Sequence, residues 1–126
     1  MILGIGCDIV KNSRFLTIDN NLINRIFSKD EISESKNLKE EMKAEFFASR
    51  FAVKEAFAKA VHIPVGLFNG NNLIVKKDKT EAPFIVISND LHKKINEIYN
   101  VEDFVIHTSL SHEKEYSIAY VIMESK

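Results

Sequence analysis

Residues 46–60 read Phe-Phe-Ala-Ser-Arg-Phe-Ala-Val-Lys-Glu-Ala-Phe-Ala-Lys-Ala, without glycine or proline. A run this rich in alanine and phenylalanine predicts a helix that ends before Pro64. The remaining elements must then pack around one long helix. Four charged groups lie within it: Arg50, Lys54, Glu55 and Lys59. Glu55 and Lys59 are four residues apart, on the stripe that starts at Phe51. As a surface ion pair they would contribute roughly a few tenths of a kcal/mol. As a metal ligand beside phosphate-neutralising cations they would be a site. The helix alone leaves both readings open.

The first strand bears on that choice. Residues 2–10 are Ile-Leu-Gly-Ile-Gly-Cys-Asp-Ile-Val. Alternation puts Leu3, Ile5, Cys7 and Ile9 on one face, expected to pack on the core, and Gly4, Gly6 and Asp8 on the other. Two glycines beside a carboxylate let another group approach the backbone closely. That group is either a tightly packed helix or a ligand. A second carboxylate on a nearby helix would complete a hard-cation site, because Mg²⁺ is commonly held by one or two carboxylates plus phosphate oxygens and waters.

Near the C-terminus, Phe104, Ile106 and Leu110 share one strand face, and Val105, His107, Ser109 and Ser111 share the other. A face that turns from apolar to His/Ser suits hydrogen bonding to an oxyanion or a ligand hydroxyl. A half-buried, satisfied histidine fits it equally well. No G-x-S-x-G turn accompanies the serines, which argues against a Ser–His nucleophile.

The rest of the chain sets bounds. With 126 residues, 45% of them hydrophobic and 28% charged, it fits one domain with a real core. A single cysteine, Cys7, excludes an intrachain disulfide. A net charge of −1 gives no general attraction to nucleic acid. No apolar run is long enough for a bilayer and no secretory leader pattern opens the chain, so a cytoplasmic protein is expected. Asp19 is expected to cap a short helix, and Ser28 to Glu31 fit a capping box for another. Residues 35–43 read as a loop or a solvated start to the long helix, and 65–70 as a loop. Leu73–Lys76 and Phe84–Ser88 read as short strands. Asn89 is expected to cap a helix with Leu91, Ile95 and Ile98 on one face. Strands over 104–111 and 116–124 follow, joined by a polar turn. In the last strand, Tyr116, Ile118, Tyr120 and Ile122 face one way and Ala119, Val121 and Met123 the other, which suggests burial on both sides. The predicted fold class is α+β: one domain over residues 1–126, mainly antiparallel sheet packed with one long helix and several short ones.

Three segments together carry a resemblance. Gly4-Ile-Gly-Cys-Asp8-Ile-Val, Phe51-Ala-Val-Lys-Glu-Ala-Phe-Ala-Lys-Ala60 and His107-Thr-Ser-Leu-Ser-His112 are similar, in order and spacing, to the bacterial holo-acyl-carrier-protein synthases, the small phosphopantetheinyl transferases. The resemblance covers nearly the whole chain. It implies Mg²⁺-dependent transfer of 4′-phosphopantetheine from coenzyme A to a serine of apo-acyl carrier protein. Adenosine 3′,5′-bisphosphate is released, in support of fatty acid biosynthesis. It assigns Asp8 and Glu55 to the metal, and Glu55 and Lys59 to catalysis. It places Arg50, Lys54, His107 and Ser109 at coenzyme A, and Arg14 at the carrier-protein interface. The attacking serine would come from the carrier. The family assembles as homotrimers with sites between subunits. For Lys54, a solvated helix surface is an equal alternative.

Some positions depart from the family pattern. Val61-His62-Ile63-Pro64 follows the long helix where a Gly-rich turn is usual. Glu81-Ala82 replaces a common Gly-Lys pair before Pro83, and Lys11-Asn12 replaces an acidic–apolar pair. Two other classes stay open on the residues alone: a different Mg²⁺-dependent phosphoryl or nucleotide enzyme, and a non-catalytic carrier-binding subunit. The latter would have no need of Asp8, Glu55 and Lys59 together.

Overall fold

The computed structural model describes residues 1–64, 67 and 70–126. Its elements are β1 (Ile2–Lys11), a 3-10 turn (Asn12–Phe15), α1 (Asn20–Ile26), α2 (Lys29–Ser35), α3 (Glu40–Val61), β2 (Leu73–Lys77), β3 (Pro83–Ile87), α4 (Asn89–Tyr99), β4 (Phe104–His112) and β5 (Tyr116–Ser125). One antiparallel sheet has the order β1-β5-β4, and β2 pairs with β3 in a second. The expected α+β class holds, with the antiparallel strands divided between two small sheets. The loop expected at 65–70 falls outside the described residues apart from Leu67 and Gly70.

The expected long helix is α3, 22 residues from Glu40 to Val61. Glu40 and Glu41 occupy its first turn and Lys59 its last, each of the sign that the helix dipole favours. At its end His62 turns into the left-handed region (φ 57°), and the Ile63 N–H reaches back to the Ala58 carbonyl at 3.2 Å. Along α3, Ala48, Ala52, Ala56 and Ala60 recur every fourth residue and are all fully buried. This methyl stripe lies on the sheet, backbone against backbone. A Cβ at Gly4 would lie 1.8 Å from the Ala60 carbonyl oxygen, and one at Gly6 would lie 1.9 Å from that of Ala56. Two residues of strand advance about 6.7 Å and four of helix about 6 Å, so the glycine and alanine ladders stay in step.

This contact reverses the expected faces of β1. Ile5 and Ile9 are 64% and 60% exposed, and Cys7 is exposed as well. Only Leu3, at an irregularity between Ile2 and Gly4, packs against the core. The closest contact with the helix needs the smallest residues, so the glycine face, not the apolar face, turns inward. In β5 the inward residues are Ala119, Val121 and Met123, all fully buried, paired with Asp8, Gly6 and Gly4. Tyr116 and Tyr120 are exposed on the outer face, and Ile118 and Ile122 are half-buried. Burial on both sides of β5 is therefore not reached within one chain.

The short helices follow local chemistry. The Asp19 carboxylate accepts the Asn21 N–H at 3.1 Å and starts α1. Ser28 and Glu31 form the full capping box of α2. Ser88, not Asn89, caps α4, its hydroxyl accepting the Leu91 N–H at 3.2 Å. Leu91 and Ile95 are buried there, while Ile98 is exposed, at the edge of the apolar stripe.

Glu31 does more than close a cap. Its Oε1 accepts the Ser28 N–H at 2.8 Å and the Lys54 ammonium at 2.7 Å, and its Oε2 accepts the Val75 N–H at 3.0 Å. Lys54 also donates to the Ile26 carbonyl at 2.8 Å. Both side chains are almost fully buried, so the pair ties α1, α2, α3 and β2 together.

Two stability predictions follow from these contacts. Gly6→Ala forces a methyl onto a backbone oxygen and should lower unfolding free energy by about 1–3 kcal/mol in urea titrations. An unchanged midpoint would mean that the helix does not sit as close as described. Glu31→Gln or Lys54→Met leaves one buried charge unpaired and should each cost about 3–5 kcal/mol, with the double variant losing clearly less than the sum. Additive losses would deny the pairing.

Candidate active site

Asp8 stands two residues beyond Gly6, on the inward face of β1 where the strand passes the charged edge of α3. Glu55 and Lys59 precede Ala56 and Ala60, so each flanks the buried stripe by one position. Lys59 reaches across to β1: its ammonium donates to Asp8 Oδ1 at 3.1 Å and to the Cys7 carbonyl at 2.9 Å. The lysine side chain is 55% exposed and the aspartate side chain 17%. Glu55 is half-buried and accepts no hydrogen bond among the described residues. Burial pushes its carboxyl pKa up, and the neighbouring Asp8 charge pushes it further, while Lys59 and Arg14 pull it back. Arg14 is held nearby, its guanidinium 5.6 Å from the centroid of the Phe51 ring. Asp8, Glu55, Lys59 and Arg14 thus form one cluster.

The donor set can be tested against a metal. Among the described residues no three His, Cys, Asp or Glu side chains gather to hold an ion. That does not suit Zn²⁺, which takes three or four protein ligands. Two carboxylates on separate elements do suit Mg²⁺, which draws its remaining ligands from phosphate and water. The upward push of Asp8 on Glu55 is the signature of two negative groups near each other, and a cation between them relieves it.

The other residues singled out in the sequence lie elsewhere. Both readings of Lys54 assumed an exposed ammonium, but the structure buries it against Glu31 and the Ile26 carbonyl. Lys54 and Lys59 are five positions apart, about 140° around the helix, so they serve different faces. Arg50 is also buried. It donates to the Ser49 hydroxyl at 3.1 Å and stacks 3.7 Å from the Phe46 ring centroid, while its Nε finds no partner among the described residues. It lines an open cavity of about 570 Å³ with Ser33, Lys76, Lys77 and the carboxylates of Asp30, Glu34, Asp78 and Glu81. His107 and Ser109 lie on the outer face of the β1-β5-β4 sheet, where His107 Nε2 is 2.7 Å from Glu124 Oε1 and Ser109 pairs with Tyr120. One chain therefore does not bring His107, Ser109, Arg50 and Asp8 together. The sequence reading missed Glu31 and Glu124 as partners. The capping box marked Glu31 for a helix start, but nothing local signals its reach to Lys54 and Val75.

Comparison with known proteins shows the family. Residues 4–121 match the 4′-phosphopantetheinyl transferase superfamily. The chain is 39% identical to the holo-[acyl-carrier-protein] synthase of Pelagibacter ubique, over 99% of this chain and 98% of that one. It is 35% identical to the enzyme of the same name from Clostridium novyi, over 98% and 88%. The crystal structure of a holo-(acyl-carrier-protein) synthase from Bacillus anthracis in complex with CoA (3′,5′-ADP) superposes with a TM-score of 0.82 at 32% identity, covering 100% of this chain and 99% of that one. The holo-[acyl-carrier-protein] synthase of Neisseria meningitidis gives 0.80 at 28% identity, over 99% and 100%. The chain belongs to the 4′-phosphopantetheinyl transferase superfamily, among its holo-acyl-carrier-protein synthases.

Proposed function

We propose that this chain transfers 4′-phosphopantetheine from coenzyme A to a serine hydroxyl of apo-acyl carrier protein, with Mg²⁺, releasing adenosine 3′,5′-bisphosphate. The observation that carries the reading is the cluster of Asp8, Glu55 and Lys59 at the edge of α3. The names of the relatives and the coenzyme-bound neighbour support it. Bound Mg²⁺ supplies Lewis-acid charge at the diphosphate. Asp8 and Glu55 hold that charge in place from two separate elements. Lys59, with an exposed tip on the last turn of α3, neutralises the negative charge that grows on the departing group. Glu55 itself, or a water held by the metal, takes up the serine proton. Arg14, on the 3-10 turn beside Phe51, faces the acidic carrier. In this reading Arg50, with Lys76 and Lys77 on the same cavity, is assigned to the coenzyme phosphates. Because the carrier brings the nucleophile, no serine of this chain needs activation. No described helix is long and apolar enough to cross a membrane, in keeping with a cytoplasmic role in fatty acid biosynthesis.

The working form in this reading is a homotrimer. The outer face of the β1-β5-β4 sheet carries exposed Ile5, Ile9, Tyr116 and Tyr120 around His107 and Ser109. Exposed apolar side chains in one continuous patch favour a protein partner. A second copy seated there covers the patch and brings His107 and Ser109 to the metal cluster of its neighbour. Val121 faces α3 and belongs to the core of each subunit, so only outer-face positions such as Tyr120 report on assembly.

The deciding experiment incubates the protein with apo-carrier, coenzyme A and Mg²⁺ and follows the carrier by mass spectrometry. A phosphopantetheine adduct is expected, and an unmodified carrier rejects the assignment. Glu55→Gln should lower turnover by orders of magnitude while raising the melting temperature of metal-free protein by roughly a few degrees. The sign follows from the raised pKa: the stability contributed by Glu55 is full below its unfolded pKa and is lost as pH rises through the folded one. Above the folded pKa the wild type has lost it and the amide has not, so the difference should vanish in acid. Equal melting curves at all pH values would contradict this. Tyr120→Glu should reduce the light-scattering mass from three chains to one and abolish activity together; an active monomer would refute the shared site.

A further inference from the structure

We propose that Lys59 is a built-in competitor for the metal: its ammonium holds the cation position against Asp8, and a divalent cation must displace it in order to bind. The proposal rests on the reading of Asp8 and Glu55 as metal ligands. It starts from an asymmetry. Lys59 is four residues from Glu55 on the same helix, the spacing at which an ion pair would form along the helix surface. Instead the side chain crosses to β1, with 3.1 Å to Asp8 Oδ1 and 2.9 Å to the Cys7 carbonyl. Glu55 accepts no hydrogen bond among the described residues. Of the two cations that act on Glu55, Lys59 directs its hydrogen bonds to Asp8 and the Cys7 carbonyl, and neither forms an ion pair with Glu55 among the described residues.

A dication that uses both carboxylates needs Asp8. Even on the second oxygen of Asp8 it would lie beside the ammonium, and two cations on one carboxylate repel more strongly than a half-exposed ion pair attracts. Lys59 is free to leave. Its side chain is 55% exposed, and the carbonyl it abandons belongs to an exposed residue. What the freed ammonium lacks is a new anionic partner, and the coenzyme diphosphate is one. Lys59 thus couples two ligands. The metal releases the ammonium that grips the phosphate, and the phosphate stabilises the ammonium in the position that vacates Asp8. By linkage each ligand tightens the other, and the metal alone binds weakly. Arg14, the other cation acting on Glu55, makes no ion pair with Asp8 among the described residues and so supplies a control for simple through-space repulsion.

The test titrates Mg²⁺ calorimetrically into wild type, Lys59→Gln, Arg14→Gln and Glu55→Gln, each with and without coenzyme A. Lys59→Gln should tighten binding of Mg²⁺ alone by about two- to fivefold, the range of an exposed ion pair, and should lose most of the tightening by coenzyme A. In wild type the ¹⁵Nζ resonance of Lys59 should move when Mg²⁺ saturates the coenzyme-free protein. The exchange is overturned if Lys59→Gln leaves Mg²⁺ affinity unchanged or weaker. It is also overturned if Arg14→Gln tightens Mg²⁺ as much, or if the Nζ resonance does not move. A different result separates the underlying reading: if Glu55→Gln binds Mg²⁺ as well as wild type does, with and without coenzyme A, the carboxylates are not its ligands and the proposal fails with them.

Discussion

Everything in this domain depends on how closely α3 can approach β1. Gly4 and Gly6 remove the two side chains that would hold the helix away, and Ala52, Ala56 and Ala60 keep the opposing surface to methyl groups. Dispersion falls steeply with separation, so a contact with no intervening side chains gains many atom pairs at near-optimal distance. It also fixes rotation. A helix that presents its alanine stripe to the strand has no freedom to turn, because a neighbouring Phe or charged residue cannot enter the same gap. The side chains next to the stripe are thereby aimed without any hydrogen bond having to aim them.

That aiming produces the site. Glu55 and Lys59 each precede a buried alanine, and Asp8 follows the second glycine on the same face of the strand. The packing contact therefore ends in charge, and the backbone proximity that stabilises the fold also forces two carboxylates toward each other. Burial raises the pKa of Glu55, and the charge of Asp8 raises it further. A fold selected for stability alone would place a neutral side chain there. The structural charge of α3 is handled differently: Lys54 is matched to Glu31 in the interior, where full pairing makes burial tolerable. The Lys-Glu dipeptide at 54–55 thus faces two ways, with the lysine joining secondary structure elements and the half-buried glutamate turned toward Asp8.

The elements were legible where local chemistry decides them. The α3 run, the capping box at Ser28 and Glu31 and the alternating strands at both ends are all present. So was the proximity of Asp8 to the charged helix edge. The facing of β1 was not, because alternation assigns apolar residues to the interior and cannot register that glycine permits a closer contact than isoleucine. The same blind spot hid the burial of Lys54, whose partner lies 23 residues earlier, and the separation of His107 and Ser109 from Asp8. Pairing across distant segments is a tertiary property. A spacing rule on one helix reports direction, not what waits there.

The positions that depart from the family pattern show how the fold absorbs change. Asn12 stands where an apolar residue is usual and is buried, a costly placement unless every polar atom is matched. Its amide nitrogen donates to the Glu113 and Lys114 carbonyls at 2.8 and 3.1 Å, its oxygen accepts the Ser117 hydroxyl at 2.7 Å, and its backbone N–H binds the Glu115 carbonyl at 2.8 Å. One buried amide thus pins the β4–β5 turn to the end of β1, specifying geometry where an apolar residue would only fill space. His62 and Glu81 both take left-handed backbone, with φ of 57° and 64°, the conformation that glycine adopts most readily. Histidine is among the residues that tolerate this conformation at a helix end. Glutamate is not, and there the compensation comes from Asp78, whose Oδ1 accepts the Thr80 and Ala82 N–H groups and the Thr80 hydroxyl. In each case the substitution lies where a nearby hydrogen bond can offset it. None falls on the glycine–alanine contact, which has no such slack, and that difference marks which part of the sequence the active cluster depends on.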